Sequence, residues 1–392
     1  MKHDFDVVIV GGGPSGSTAA TDLARGGHHV LLLDRAGRIK PCGGAIPPRL
    51  IKDFEIPDHL LVAKARSARM IAPSDKQVDM PVGDGFVGMV DRDVFDEWLR
   101  GRAVLTGAER RTGTFERVDR DPDGTAVVVY TEERGGAEHR VRTRTVIGAD
   151  GARSAVARQN LKGADKVPCV FAYHEIIKSP PATGDYDPSR CDVFYQGDLS
   201  PDFYAWVFPH GDTASIGVGS ANKGYALRPA IARLREQSGL DKCETIRREG
   251  APIPLKPLKR WDNGRDIVVA GDAAGVVAPA SGEGIYYAMA AGRFAAEAVD
   301  SFLATGKAGA LKLARKRFMK AHGRVFLILG IMQHFWYRND KRRERFVKMC
   351  EDKDVQALTW QAYMHKELVR AKPMSHVKIF FKDMGHLIGS AA

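Results

Sequence analysis

The chain has 392 residues, 44% apolar and 27% charged, which excludes a disordered or low-complexity protein and, at roughly 150 residues per domain, predicts two or three domains. Lys and Arg number 59 against 48 Asp and Glu, and the resulting +11 belongs to the tail. Residues 1–310 hold 41 charges of each sign, whereas Leu311–Ala392 holds 18 basic and 7 acidic residues.

Five scattered cysteines (Cys42, Cys169, Cys191, Cys243, Cys350) form no CxxC pair, zinc spacing or iron–sulfur spacing, so a reducing compartment and no metal site are expected. Acidic Asp4 and Asp6 lead straight into a buried strand at Val7, which is not the pattern of a signal peptide. The longest apolar run, Val325–Met332, has eight residues against the roughly 20 that span a bilayer, so the chain reads as soluble or peripheral.

Val7–Val10 is the continuous apolar run that a doubly buried parallel strand requires. It enters GxGxxG at Gly11, Gly13 and Gly16, followed by a helix that presents Ala19, Ala20, Leu23 and Ala24 on one face. That helix is expected to end in a left-handed cap at Gly26–Gly27, before a second strand at Val30–Leu33 and an acid, Asp34. Strand, glycine turn, helix, strand and acid in this order predict a dinucleotide site. Gly11 makes the tight turn, Gly13 admits a pyrophosphate, and Gly16 packs helix on strand. Ser15 and the helix N-terminus face the phosphates, while Asp34, with Arg35 beside it, accepts from an adenosine ribose.

In Lys40–Leu50, adjacent Gly43 and Gly44 suggest backbone close to something flat or bulky, and Cys42 precedes them. Arg92 starts a helical pattern within Val90–Leu99. Val146–Ser154 reads as a strand ending in Asp150–Gly151. Four strand-like runs follow at Val170–Ile177, Val193–Gln196, Tyr204–Phe208 and Ala214–Val218, separated by Gly, Pro and Asp turns. Within the third, Pro201–Pro209 matches PxxYxWxFP, and two-residue spacing puts Tyr204, Trp206 and Phe208 on one side of a strand. By spacing alone these rings are either the core face of a sheet or the wall of an apolar site. Asp266–Gly275 is a further strand with Gly271 and Asp272 at its carboxyl end, and Pro279–Gly284 leads into a helix near Ile285.

From Leu311 the pattern is helical, with Lys312, Arg315, Lys316 and Lys320 along one face. Phe326–Met332, Phe335–Tyr337 and the basic cluster Lys341–Arg345 come next. Two readings fit this tail: an interfacial helix on anionic lipid, or a cap docked on the body with a solvated basic face. With a neutral body and no binding motif, nucleic acid is not expected as a partner.

The Gly11–Asp34, Val146–Ser154 and Asp266–Gly284 segments resemble, in order, the FAD-binding elements of the aromatic-hydroxylase-like flavoproteins. That resemblance implies an α/β fold: an FAD-binding Rossmann-like domain, an antiparallel β-sheet substrate domain and a C-terminal helical region. The implied domains are 1–70, 86–160 and 264–310 for FAD, 71–85 and 161–263 for substrate, and 311–392 for the basic helices. Asp150, Gly271, Asp272, Pro279, Gly282, Gly284 and Ile285 would line the flavin, Arg92 would reach the pyrophosphate, and Cys42, Gly43 and Gly44 would pass its ring.

Lys40–Leu50 and the Pro201–Pro209 motif together are similar to the geranylgeranyl reductase family, nearest to its (bacterio)chlorophyll branch. The family implies reduction of three isolated double bonds of a geranylgeranyl chain, carried on a tetrapyrrole or a diphosphate, with FAD as cofactor and NADPH as donor. Tyr204, Trp206 and Phe208 become the substrate wall, and Cys42 and Tyr204 the candidate catalytic groups. It also implies a cytoplasmic enzyme at the periphery of a bacterial photosynthetic membrane, beside other pigment-synthesis enzymes. A monooxygenase or halogenase of the same fold, and an archaeal-type lipid reductase, are the alternatives.

Overall fold

The computed structural model describes residues 3–366, apart from positions 36, 38, 134, 183 and 184. The part of the basic tail beyond residue 366 lies outside the described residues. The chain opens with β1 (Phe5–Val10), α1 (Pro14–Arg25) and β2 (Val30–Asp34). Short elements follow: β3 (Ala45–Ile46), α2 (Pro48–Asp53), β4 (Ala63–Ala65), β5 (Ser67–Ile71), β6 (Gln77–Pro81) and β7 (Val87–Met89). It returns through α3 (Arg92–Leu105), β8 (Glu109–Thr112), β9 (Thr114–Arg120), β10 (Ala126–Thr131), β11 (Glu138–Gly148) and α4 (Ala155–Asn160). Next come β12 (Cys169–Lys178), β13 (Arg190–Phe194), β14 (Ala205–His210), β15 (Thr213–Ser220), α5 (Leu227–Gln237) and β16 (Thr245–Pro254). The last stretch is β17 (Ile267–Val269), α6 (Ile285–Thr305), α7 (Lys312–Trp336), α8 (Asp340–Met349) and α9 (Lys353–His365).

One sheet runs β8-β2-β1-β11-β10-β9, with β17 also on β11. β1 is parallel to both β2 and β11, so Val7–Val10 is covered on both faces and has no polar alternation. β11 forks the sheet: residues 138–143 pair with antiparallel β10, and residues 146–148 with parallel β17. Helices α1 and α6 cross closely, because a side chain at Gly292 would stand 2.2 Å from the Ser15 carbonyl. The carboxyl ends of β1, β11 and β17 therefore open beside the starts of α1 and α6, where ligands of open α/β sheets bind.

The second sheet runs β16-β12-β15-β14-β13-β5-β6, antiparallel except for β13 on β5. Its two-residue period sorts the chain. Ala205, Val207, Ile216 and Leu234 of α5 form one core, whereas Trp206 and Phe208 face the other way, toward Trp336 of α7. The β5–β6 hairpin enters this sheet at Ser67, four residues before the position read from sequence. β16 escaped the sequence reading because its Thr245–Gly250 half alternates polar residues on a half-exposed edge.

Helices α7–α9 dock on the body as a roof. Phe318, His322 and Phe326 of α7 stack edge-on against Tyr287 of α6. In the basic cluster Arg343 turns inward: its side chain is 2% exposed and binds Asp340 and the carbonyls of Tyr337 and Pro201. Arg343 thus fastens α8 to the loop before β14. Arg343→Met leaves those carbonyls unsatisfied and should cost on the order of 3 kcal/mol. Chemical denaturation checks this; an unchanged midpoint would contradict the anchoring.

Candidate functional site

The cradle is built by the turn after β1. Gly11 has φ +105°, and a side chain there would meet the Ala149 backbone at 2.4 Å. One at Gly16 would reach the Gly11 carbonyl at 1.8 Å, so both glycines are demanded by the protein's own packing. Gly13 differs: a side chain there would meet nothing within 4 Å, so this position faces open space. Ser15 Oγ, buried at the start of α1, has no hydrogen-bond partner. An open cradle, an orphaned hydroxyl and a helix N-terminus fit a dinucleotide pyrophosphate.

At the end of β2, Asp34 Oδ2 lies 3.2 Å from Arg100 of α3, which also donates to the Gly12 carbonyl at 3.2 Å. Sequence reading missed Arg100, since only the return of α3 beside the cradle reveals it. Arg35 is exposed beyond the strand.

Several expected cofactor groups have other partners. Asp150 accepts from Ala155 and Val156 amides at 2.7 and 3.1 Å, capping α4, so its carboxylate is spent on a helix N-terminus. Asp272, 5% exposed, pairs with Lys40. Arg92 is buried and holds Asp96 through two nitrogens at 2.8 and 2.7 Å, with Cys42 close by. Gly43 and Gly44 do approach rings, but those of the protein itself. Side chains there would strike Phe208 at 3.0 Å and His210 at 2.5 Å.

The loop between β17 and α6 is pinned from two sides. Ala280 stands at φ +62°, a left-handed conformation that costs a non-glycine residue about 1–2 kcal/mol. Tyr204 donates its hydroxyl to the Ser281 carbonyl at 2.7 Å, and Tyr337 donates to the Ala280 carbonyl at 3.0 Å. Burial raises the Tyr204 phenol well above its usual range, and its proton is committed to the loop. In this arrangement Tyr204 anchors the loop. Gly271 and Gly282 take positive φ, and a side chain at Gly282 would strike the Tyr204 hydroxyl at 2.8 Å. Pro279 opens the loop, and Gly284 precedes the buried Ile285 that begins α6.

Loop, sheet and roof enclose a cavity of about 750 Å³, within the range of small-molecule sites. Cys42, Gly13 and Gly282 border it on the cradle side, Trp206 and Phe208 on the sheet side, and Met332 and Trp360 under the roof. The indole of Trp206 lies flat over Gly217, where a side chain would come within 2.0 Å of the ring. Its N–H donates to Ser215 Oγ at 3.2 Å; Ser215 meets His174 Nδ1 at 3.0 Å, and His174 Nε2 meets Glu249 at 3.0 Å. Read as donors in that order, the chain fixes the histidine tautomer and ties the ring to the sheet edge. The partners of His174 are 41 and 75 residues away along the chain and meet only through strand register. The site can therefore hold a long apolar molecule against an aromatic wall, beside a dinucleotide cradle.

Residues 5–178 match the family model described as pyridine nucleotide-disulphide oxidoreductase. The chain is 60% identical to a geranylgeranyl diphosphate reductase of Rhodobacter capsulatus, covering 98% of each. It is 35% identical to a chloroplastic geranylgeranyl diphosphate reductase of Oryza sativa, over 98% of this chain and 87% of that one. A crystal structure of a geranylgeranyl bacteriochlorophyll reductase-like protein from Thermoplasma acidophilum superposes with a TM-score of 0.80 at 23% identity, covering 94% and 98% of the two chains.

Because Gly13 faces open space, Gly13→Val should fold with the thermal midpoint of flavin-free wild type yet lose flavin on purification. A Gly13→Val protein that keeps a full complement of flavin, read by absorbance, would contradict the cradle.

Proposed function

The chain belongs to the geranylgeranyl diphosphate reductase family, and from that premise we propose that it saturates the isolated double bonds of a geranylgeranyl chain lying in the cavity. It is an FAD-dependent oxidoreductase. The observation that carries the substrate reading is the cavity itself: apolar, aromatic on the sheet side and bordered by the cradle of Gly13. A prenyl chain offers almost nothing to hydrogen-bond, so it must be held by ring faces and aliphatic contact.

When bound, reduced FAD supplies hydride to the alkene. Gly11, Gly13, Ser15 and Gly16 would hold its pyrophosphate, Asp34 with Arg100 its ribose, and the start of α6 its ring. The protein's own work is positioning and exclusion. Trp206, fixed by Ser215 and His174, flattens the chain; the roof keeps water from the site. Three rounds convert geranylgeranyl to phytyl, so the site must accept several registers of a repeating chain. A smooth wall without polar stops suits that slippage. NADPH is the donor in this reading, reaching the cavity without a nucleotide fold of its own because the Gly11–Gly16 turn serves FAD.

We also place the working enzyme on an anionic membrane surface. Lys320, Arg324, Leu327 and Ile331 share an exposed face of α7, with Leu327 66% and Ile331 46% exposed. Ile328 and Ile331 also line the cavity, so the apolar face is continuous with the site. Apolar residues flanked by cations are what a helix needs at a charged lipid interface, and a prenyl substrate resides in that phase. No helix among the described residues is long and apolar enough to cross a membrane.

Incubated anaerobically in reduced form with geranylgeranyl-bacteriochlorophyll and, separately, geranylgeranyl diphosphate, the protein should add mass in steps of two hydrogens. The two arms distinguish the carriers, and no gain on either defeats the reading. Trp206→Ala should keep FAD while kcat/KM on the preferred substrate falls at least about tenfold; loss of FAD with normal prenyl binding would contradict the layout. Leu327→Glu should lower co-sedimentation with anionic vesicles without altering turnover of detergent-solubilised substrate. Unchanged vesicle binding would remove α7 as the membrane face.

A further inference from the structure

An isolated alkene needs a proton as well as a hydride. The Tyr204 hydroxyl is donated to Ser281, while Cys42 Sγ accepts from the Gly44 amide at 3.4 Å, a contact that leaves its S–H free. We propose that Glu283 is the catalytic acid, delivering the proton to the alkene from Oε1, with Lys366 as the residue that positions and recharges it. This rests on the prenyl-reductase reading above.

Glu283 sits between Gly282 and Gly284, at the entry to α6, and lines the cavity with a residue exposure of 8%. Its Oε2 pairs with Lys366 at the end of α9, whose side chain is 3% exposed. Its Oε1 is buried and has no partner. A carboxylate oxygen with neither water nor donor carries a heavy desolvation penalty. A proton on Oε1 removes it and makes the group a donor at the cavity wall.

The surroundings favour neutral or cationic company over further anions. Lys366 Nζ lies 4.0 Å from the Tyr363 ring and 5.8 Å from those of Tyr286 and Tyr287. His322 of α7 faces the same cluster, and burial, with Lys366 and Arg49 of α2 nearby, lowers it to about 4, so it is neutral. The Tyr287 and Tyr363 phenols are pushed up by burial and stay protonated. Burial likewise raises the Glu283 carboxyl, with Lys366 opposing, and lowers the Lys366 ammonium.

The step balances simply. The proton of Oε1 forms a C–H bond at one alkene carbon, the π pair is consumed, and the other carbon takes the hydride that the reductase activity supplies. Glu283, left as carboxylate, takes a proton from Lys366, and the pair is recharged from solvent as product slides on. Sequence gave no sign of this pair, because Lys366 reaches Glu283 across 83 residues of chain.

The test uses the full-length, FAD-loaded protein. Infrared difference spectra without substrate should show a protonated-carboxyl band at neutral pH that Glu283→Gln removes. In anaerobic single turnover with the prenyl substrate, Glu283→Gln should slow reduction at least about 100-fold, the scale of general acid catalysis. The wild-type rate should fall as pH rises through the carboxyl's titration, and that limb should vanish in Glu283→Gln. Glu283→Asp should restore part of the rate. Glu283→Gln with Lys366→Met removes both titratable groups together, so it guards against misfolding from an unpaired lysine; it should bind FAD and be as slow as the single variant. A band that survives Glu283→Gln, or a rate within about threefold of wild type in either variant, overturns the proposal. Wild-type protein that leaves the chain unsaturated overturns the prenyl reading itself, a result that does not depend on position 283.

Discussion

The loop from Pro279 to Gly284 is where the molecule is held together. The FAD-type sheet delivers it after β17 and takes it back as α6. The second sheet grips it through the Tyr204 hydroxyl, and the roof through Tyr337 and Lys366. Three separately built parts thus converge on six residues, one of them, Ala280, in a conformation that an isolated chain avoids. Ion pair and tyrosine bonds are buried, so each group is costly unless its partner is present. The loop keeps its shape only while cradle, sheet and roof are all in place, and its shape sets the cradle-side wall of the cavity.

That arrangement answers the chemical difficulty of the reaction. An unactivated alkene has no polar group by which to be steered, so placement must come from surface shape. Trp206 provides such a surface because Gly217 leaves room beneath it and a chain of three hydrogen bonds fixes its edge. Polar groups are present around the cavity, but most are satisfied by one another: Asp272 by Lys40, Arg92 by Asp96, Tyr204 by Ser281. Ser15 Oγ, Trp360 Nε1 and Glu283 Oε1 are left unpartnered, and proton delivery turns on the last of these.

Much of this was legible in the sequence, and the division has a physical basis. Local patterns were readable: the glycine turn after β1, the two-residue spacing of Trp206 and Phe208, and the helix after Gly284 all depend on neighbours within a few residues. Pairings across the fold were not. The sequence could not show that Asp150 takes the first amides of α4, or that Gly43 and Gly44, which line the cavity, also lie against Phe208 and His210. Arg343 reads as a surface charge until it is found buried against Pro201. The tail offered two readings; its described part, up to residue 366, docks as a roof while still exposing Leu327 and Ile331.

The claim beneath the whole account is that a prenyl chain lies between the Trp206 wall and the cradle of Gly13. A geranylgeranyl analogue carrying a photoreactive diazirine tests it most directly when cross-linked to the FAD-loaded protein and mapped by peptide mass. Labels on Trp206, Met332 and Trp360, suppressed by excess phytyl product, are the expected result. Labelling confined to the outer face of α7 at Leu327, with the cavity residues untouched, would contradict it.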